Sequence, residues 1–253
     1  VTLVGADPDG DALTFAVATG PTLGALGAIT QLTPTTASVT YTPNANSDQD
    51  DAFTFTVNDG TATSAAATVS IDVVPVNDTP TVTAAADVYG TEDTPLTITS
   101  ITLGDVDSGT GSTRLTISAG SGALNWTTTA FISATGSGTG TLVLSGQRSA
   151  LNAAIASGAL SYSPASNVTG TVSLSVTYND RGNTGIDPGL TADSTSEEAT
   201  TTIDVHLAPV NDAPVNTVPG AQTASEDTPL AISGVSISEP DGDSLTTTVS
   251  VTN

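Results

Sequence analysis

Cysteine, methionine and lysine are absent from the 253 residues, and basic charge is confined to Arg114, Arg148 and Arg181. Without cysteine there are neither disulfides nor thiolate metal sites, so another staple is needed if the chain works outside the cell. Three basic residues against 26 acidic ones leave a formal charge of −23. Such a field repels phosphate backbones and anionic headgroups, which excludes nucleic acid as a partner and favours cations. No run approaches the ~18 apolar residues of a membrane span, so no membrane insertion is expected. No basic-plus-apolar leader opens the chain, and any export signal is expected outside this sequence. Catalytic equipment is also missing. With His206 the single histidine, no cysteine and no Gly-x-Ser-x-Gly elbow, no nucleophile-and-base set is available. Paired carboxylates could serve a glycosidase, but here they recur along the chain, which one active site has no reason to do. The chain is therefore not expected to be an enzyme.

What the sequence does contain is Thr, Ser, Val, Ala and Gly, a mixture that favours short strands and turns. Alternation marks strands at Ala52–Val57, Ala67–Val73 and Thr171–Tyr178. Clusters of Gly, Asn, Asp and Pro separate them at sandwich-like spacing. One helix is expected, with Ser149 as its cap, Leu151 and Ile155 on one face and Gly158 at its end.

The order is repetitive. Val76-Asn77-Asp78-Thr79-Pro80 returns as Val210-Asn211-Asp212-Ala213-Pro214, and Glu92-Asp93-Thr94-Pro95-Leu96 as Glu226-Asp227-Thr228-Pro229-Leu230, both 134 positions on. The same offset carries Asp105-Val106-Asp107 onto Glu239-Pro240-Asp241, and Asp7-Pro8-Asp9-Gly10-Asp11 nearly copies Glu239-Pro240-Asp241-Gly242-Asp243. The chain thus divides into an N-terminally incomplete module at 1–76, a complete one at 77–210, and the start of a third at 211–253. The expected fold class is all-β, as tandem Greek-key β-sandwich modules joined end to end. Relative to the first module, the second carries two insertions, one around Gly136 to Gly140 and one from about Thr184 to Glu198.

Nineteen of the 26 acidic residues fall inside these motifs. Calcium takes roughly six to eight hard oxygen ligands from carboxylates, amides and backbone carbonyls, and Asp/Asn-rich turns provide them without regular structure. Gly10 and Gly242 let the backbone turn between neighbouring carboxylates, and without a cation such clusters repel. Several calcium ions at the module junctions are the expected cofactors.

These motifs resemble the cadherin-like, Ig-like calcium-binding tandem repeats in the extender regions of giant bacterial RTX adhesins. The likeness rests on Asp-Pro-Asp-Gly-Asp, on Val57-Asn58-Asp59-Gly60 with its counterpart Tyr178-Asn179-Asp180-Arg181-Gly182, on the Glu-Asp-Thr-Pro-Leu turn and on the linker Pro-Val-Asn-Asp-x-Pro. The glycine-rich calcium nonapeptide of the RTX export region is absent, so the resemblance implies the shaft. It further implies an extracellular, cell-surface or secreted location, with neighbouring modules of the same chain or fibre, and another cell or surface, as partners. In a sandwich whose strands alternate up and down, each linker should be clasped by the first turn of the module before it and by the second and last turns of the module after it. Asn77 and Asp78 should then meet Asp105, Asp107 and Asp180, with Asp48, Asp50 and Asp51 from below. Asn211 and Asp212 should meet Glu92 and Asp93 from below and Glu239, Asp241 and Asp243 from above. Asp7, Asp9, Asp11 and Asp59 belong to a junction before residue 1, and Glu226 and Asp227 to one beyond residue 253.

Two other functional readings stand beside the extender: a subunit of a self-assembling extracellular filament, and a module that binds carbohydrate or another cell-surface ligand. Asn77, Asn125 and Asn167 open formal glycosylation sequons, though Asn77 is better explained by its linker. Trp126, Phe53, Phe55, Tyr41 and Tyr162 are expected in the core or on strand surfaces.

Overall fold

A computed structural model describes residues 1–182, 185–186 and 197–250. The expected insertion from about Thr184 to Glu198 therefore falls for the most part outside the described residues. Elsewhere the alternating segments become strands because their two faces see different surroundings. In the strand Gly170–Asn179, Val172, Leu174, Val176 and Tyr178 are buried while Thr171, Ser173 and Ser175 face water. It pairs antiparallel with Glu198–Ala208 on one side and with Ser112–Ala119 on the other. Asp87–Thr91 runs parallel to Glu198–Ala208 at the sheet edge, with Val88 opposite Val205. Thr141–Gln147 and then Ser133–Thr135 extend the far side into a six-stranded sheet.

Facing it are a three-stranded sheet of Leu96–Thr97, Leu160–Ser163 and Ala123–Trp126 and a pair made by Thr81–Thr83 and Thr102–Gly104. Leu115, Ile117, Leu144, Leu160, Tyr162, Val176 and Val205 are among the buried residues between these layers. The hairpin of Ser133–Thr135 and Thr141–Gln147, with the helix Arg148–Ala156, is interposed between Ala123–Trp126 and Leu160–Ser163. The helix starts two residues earlier than expected. Gln147 occupies the cap position with no side-chain bond, so Ser149 is not the cap. Leu151, Ala154 and Ile155 are buried, and Gly158 ends the helix at φ +86°, donating its N–H to the Ile155 carbonyl.

Residues 1–71 hold a second, separate core of Leu3, Val39, Phe53 and Phe55. The strand Asp51–Asn58 lies between Thr14–Thr19 and Ala67–Ile71. The last of these ends two residues short of the expected Val73, whose N–H donates instead to the Asp50 carboxylate. After residue 210, Val215–Thr217 pairs with Ser236–Ser238 in the register that Thr81–Thr83 keeps with Thr102–Gly104. The 134-residue repeat is thus a repeat of strand pairing as well as of letters.

Because the two cores share no residue, damage to one should spare the other. Leu144→Ala should cost the middle unit ~2–5 kcal/mol through lost burial and a residual cavity. Phe53→Ala should destabilise residues 1–71 by a similar amount. Denaturant unfolding with hydrogen exchange read separately in the two units checks this; equal loss of protection in both would show a single cooperative core.

Candidate metal centres at the module junctions

At the first junction the linker is drawn into the middle unit. Asn77 is 2% exposed and donates from Nδ2 to Asp180 Oδ2 at 2.8 Å. The Asp78 N–H donates to Asp107 Oδ2. Asp105 folds its own turn, with Oδ1 accepting the N–H groups of Asp107 at 2.8 Å and Ser108 at 3.1 Å. Two acceptor oxygens remain: Asn77 Oδ1 and Asp105 Oδ2 are buried with no hydrogen-bond partner among the described residues. Burial is the main influence raising the Asp105 carboxyl above its usual range; the Asp107 and Ser108 amides oppose it, and the charges of Asp180 and Asp107 add to it. Asp107 is raised too, by burial first and then by the charges of Asp78, Asp180 and Asp48, against the pull of the Asp78 amide. Asp48 reaches the same place from below, lining with Asn44, Ser47, Asp78 and Asp107 a cleft of about 230 Å³.

The second junction repeats the arrangement. The Asp212 N–H donates to Asp241 Oδ2, as Asp78 does to Asp107. From below, Glu92 is 1% exposed and its Oε1 accepts the Val210 N–H at 2.8 Å. Asp93 stands beside it in the left-handed region at φ 56°, a turn that Asp227 repeats at φ 58°. From above, Glu239 Oε2 accepts the Asp243 N–H at 2.8 Å. Asp212 Oδ2 is a buried oxygen without a donor among the described residues. Its carboxyl is raised by burial first, then by the charges of Asp93, Asp241, Glu92 and Glu239. Asn211 differs from Asn77 in being exposed, with its amide donating only to the Asp212 carbonyl at 3.3 Å.

The outlying groups are also placed. Asp7 Oδ1 accepts the N–H groups of Asp9 at 2.9 Å and Asp11 at 3.1 Å, and Asp7 shares a shallow cleft with Asp59. Asp59 is held below the usual carboxylate range by the Ala62 and Thr61 amides. Glu226 and Asp227 are exposed. Asp51 does not face the linker cluster in any described contact. It is buried inside the first unit, accepting from the Thr22, Leu23 and Ala52 amides and from the Tyr41 hydroxyl.

Among the described residues, no group of three or more histidine, cysteine, aspartate or glutamate side chains meets as a metal site by itself. The first oxygen set combines carboxylates with the Asn77 amide, and the second gathers carboxylates around Asp212. Their buried, donorless oxygens are atoms that a hard cation would satisfy and a proton donor does not.

Sequence reasoning passed over two contributors. Glu197 is fully buried, and its N–H donates to Asp180 Oδ1 at 2.9 Å while its carbonyl accepts the Asp180 N–H. Ile186 forms a parallel bridge with Val76 in the linker. Neither lies in a repeated motif, so no pattern pointed to them. His206 stays a strand residue, with Nε2 2.7 Å from Asp87 Oδ1, Nδ1 3.0 Å from Thr171 Oγ1, and its ring stacked on exposed Tyr89.

Residues 1–75 match the family model of the bacterial cadherin-like domain. Among solved structures, protocadherin gamma B2 extracellular cadherin domains 1-5 is 18% identical at a TM-score of 0.46, over 90% of this chain and 39% of that one. Human CDH23 EC21-23 is 16% identical at 0.45, over 92% and 74%. The Yersinia pseudotuberculosis adhesin InvE is 13% identical at 0.30, over 81% and 53%. The chain thus spans well under half of the protocadherin fragment. No curated protein matches it. The strands, sheets and family match define an all-β protein of packed sheets whose first 75 residues carry the bacterial cadherin-like pattern. No helix among the described residues is long and apolar enough to cross a membrane.

Asp51 gives this region an acid limit. Burial alone would raise its pKa, but the Thr22, Leu23 and Ala52 amides with the Tyr41 hydroxyl outweigh it and hold the value at about 2. A carboxyl whose folded pKa is depressed contributes stability that is present above its unfolded pKa and is lost as pH falls toward the folded one. Residues 1–71 should therefore lose stability as pH falls from about 4 toward 2. Asp51→Asn should be less stable at neutral pH and flatter across that window. A variant as acid-sensitive as the parent in melting experiments would remove Asp51 as the cause.

Proposed function

We propose that the chain is a structural extender from a bacterial surface or secreted adhesin, of the RTX type, whose tandem modules are stiffened by calcium and carry an adhesive tip away from the cell. Its division is that of three modules, at 1–76, 77–210 and 211–253. The observation that carries the reading is the pairing of donorless buried oxygens with crowded carboxylates at two linkers 134 residues apart. Asn77, Asp78, Asp105, Asp107 and Asp180, with Asp48, would hold calcium at the first. Glu92, Asp93, Asp212, Glu239 and Asp241 would hold it at the second, with Asn211 and Asp243 adjacent. Asp7, Asp9, Asp11 and Asp59 form part of a further site at the incoming end. Calcium would supply the positive charge that these oxygens lack. The side chains themselves fix the linker: Asp107 and Asp241 take the amides of Asp78 and Asp212, and Glu92 takes that of Val210. The family match over residues 1–75 and the absence of any nucleophile-and-base set support a structural role over a catalytic one.

Calorimetric titration with calcium should show binding in several steps and a rise in melting temperature. A ligand at ~100 times its dissociation constant stabilises by ~2.7 kcal/mol per site. Small-angle scattering should change from a narrow distribution of shapes in calcium to a broader one in chelator. Asp241→Ala should weaken binding at the second junction and expose Pro209 to Pro214 to protease, while Leu115 and Val176 amides stay protected. No heat of binding at millimolar calcium, or scattering identical in the two conditions, would sink the extender reading.

A further inference from the structure

We infer that Gly185 and Ile186 of the middle unit are a strap that fixes the first linker by backbone hydrogen bonds, independently of any cation. The Asn77 N–H donates to the Ile186 carbonyl at 2.9 Å, and the Ile186 N–H donates to the Pro75 carbonyl at 3.0 Å. Together they make a parallel bridge between Val76 and Ile186, two residues 110 positions apart.

Gly185 makes the approach feasible. Its φ is +91°, and a Cβ there would lie 2.7 Å from both Asn77 N and the Val76 carbonyl carbon. Any side chain would push the strap off the linker and strain its backbone. The strap is rooted where the cation ligands begin. Asp180 Oδ1 accepts the Gly182 and Glu197 amides, while Asp180 Oδ2 accepts the Asn77 amide. One carboxylate thus ties Gly182 and Glu197 to Asn77 of the linker.

The turn of this type in the first module provides the contrast. In the first module the turn after Asp59 is short: Asp59 Oδ1 caps Thr61 and Ala62, Ser64 bonds back to Val57, and the next strand begins at Ala67. It has no residue to spare for a neighbouring linker. The backbone hold on the first linker therefore comes from residues that the shorter turn does not have. In an extender this would keep the first linker held when calcium is low; that purpose rests on the extender reading, but the strap's contacts do not.

Hydrogen exchange of the full chain by NMR in excess EGTA tests it. The Asn77 amide should exchange at least about tenfold more slowly than its intrinsic rate. Gly185→Val should bring Asn77 close to that intrinsic rate while the Leu115 and Val176 amides remain protected. Ile186→Pro, which deletes the donor to Pro75 without adding bulk at 185, should move Asn77 the same way. The strap is overturned if Asn77 exchanges at its intrinsic rate in the unmodified chain, or stays protected in both variants. Calcium calorimetry on the same samples reports on the extender reading separately, since the comparison in EGTA stands whether or not calcium binds.

Discussion

Carboxylates held close together repel, and removing them from water makes the repulsion stronger and their charged form dearer. Both junctions place the linker inside such a crowd. Each linker aspartate gives its amide to a carboxylate of the following module, Asp78 to Asp107 and Asp212 to Asp241, while its own charge faces several others. Hydrogen bonds from backbone amides offset part of the cost but cannot offset all of it, because Asn77 Oδ1, Asp105 Oδ2 and Asp212 Oδ2 have no donor among the described residues.

The rest of the fold can be understood as a frame for that arrangement. Antiparallel strands carry Asp180 to the same pole of the middle unit as Asp105 and Asp107, and the parallel pairing of Asp87–Thr91 with Glu198–Ala208 sends Glu92 to the opposite pole, beside Val210. Cores of aliphatic and aromatic residues hold the strands in place, so the poles keep their geometry without disulfides. Repetition of the Thr81–Thr83 pairing register by Val215–Thr217 then presents Glu239 and Asp241 to the second linker as Asp105 and Asp107 are presented to the first.

Much of this was legible in the sequence, because period-two alternation and turn motifs are local. The strands at Asp51–Asn58 and Gly170–Asn179 and the gathering of Glu92, Asp93, Asp212, Glu239 and Asp241 followed from alternation and strand direction. What was not legible depends on contacts between distant segments. Asp51 is an acidic residue like its neighbours Asp48 and Asp50, and only the loop of Thr22 and Leu23 turns it inward. Ser149 has the right chemistry for a cap, but the strand Thr141–Gln147 runs straight into the helix and leaves Gln147 at that position. Glu197 and Ile186 sit in an unrepeated insertion, where neither periodicity nor motif register says which residues return to the linker.

The scarcity of basic residues completes the physical argument. A chain could neutralise its acidic joints internally with lysine or arginine, but this one has no lysine and only three arginines. Arg114 lies 3.7 Å from Glu198 in a largely solvated pair, the kind that contributes only ~0–1 kcal/mol. Arg148 donates to the Ser108 hydroxyl, and His206 meets Asp87 on the outer face of the sheet. The Asp78 and Asp212 charges face other carboxylates, while the backbone bonds of Ile186 to Pro75 and Asn77 hold the first linker without using charge.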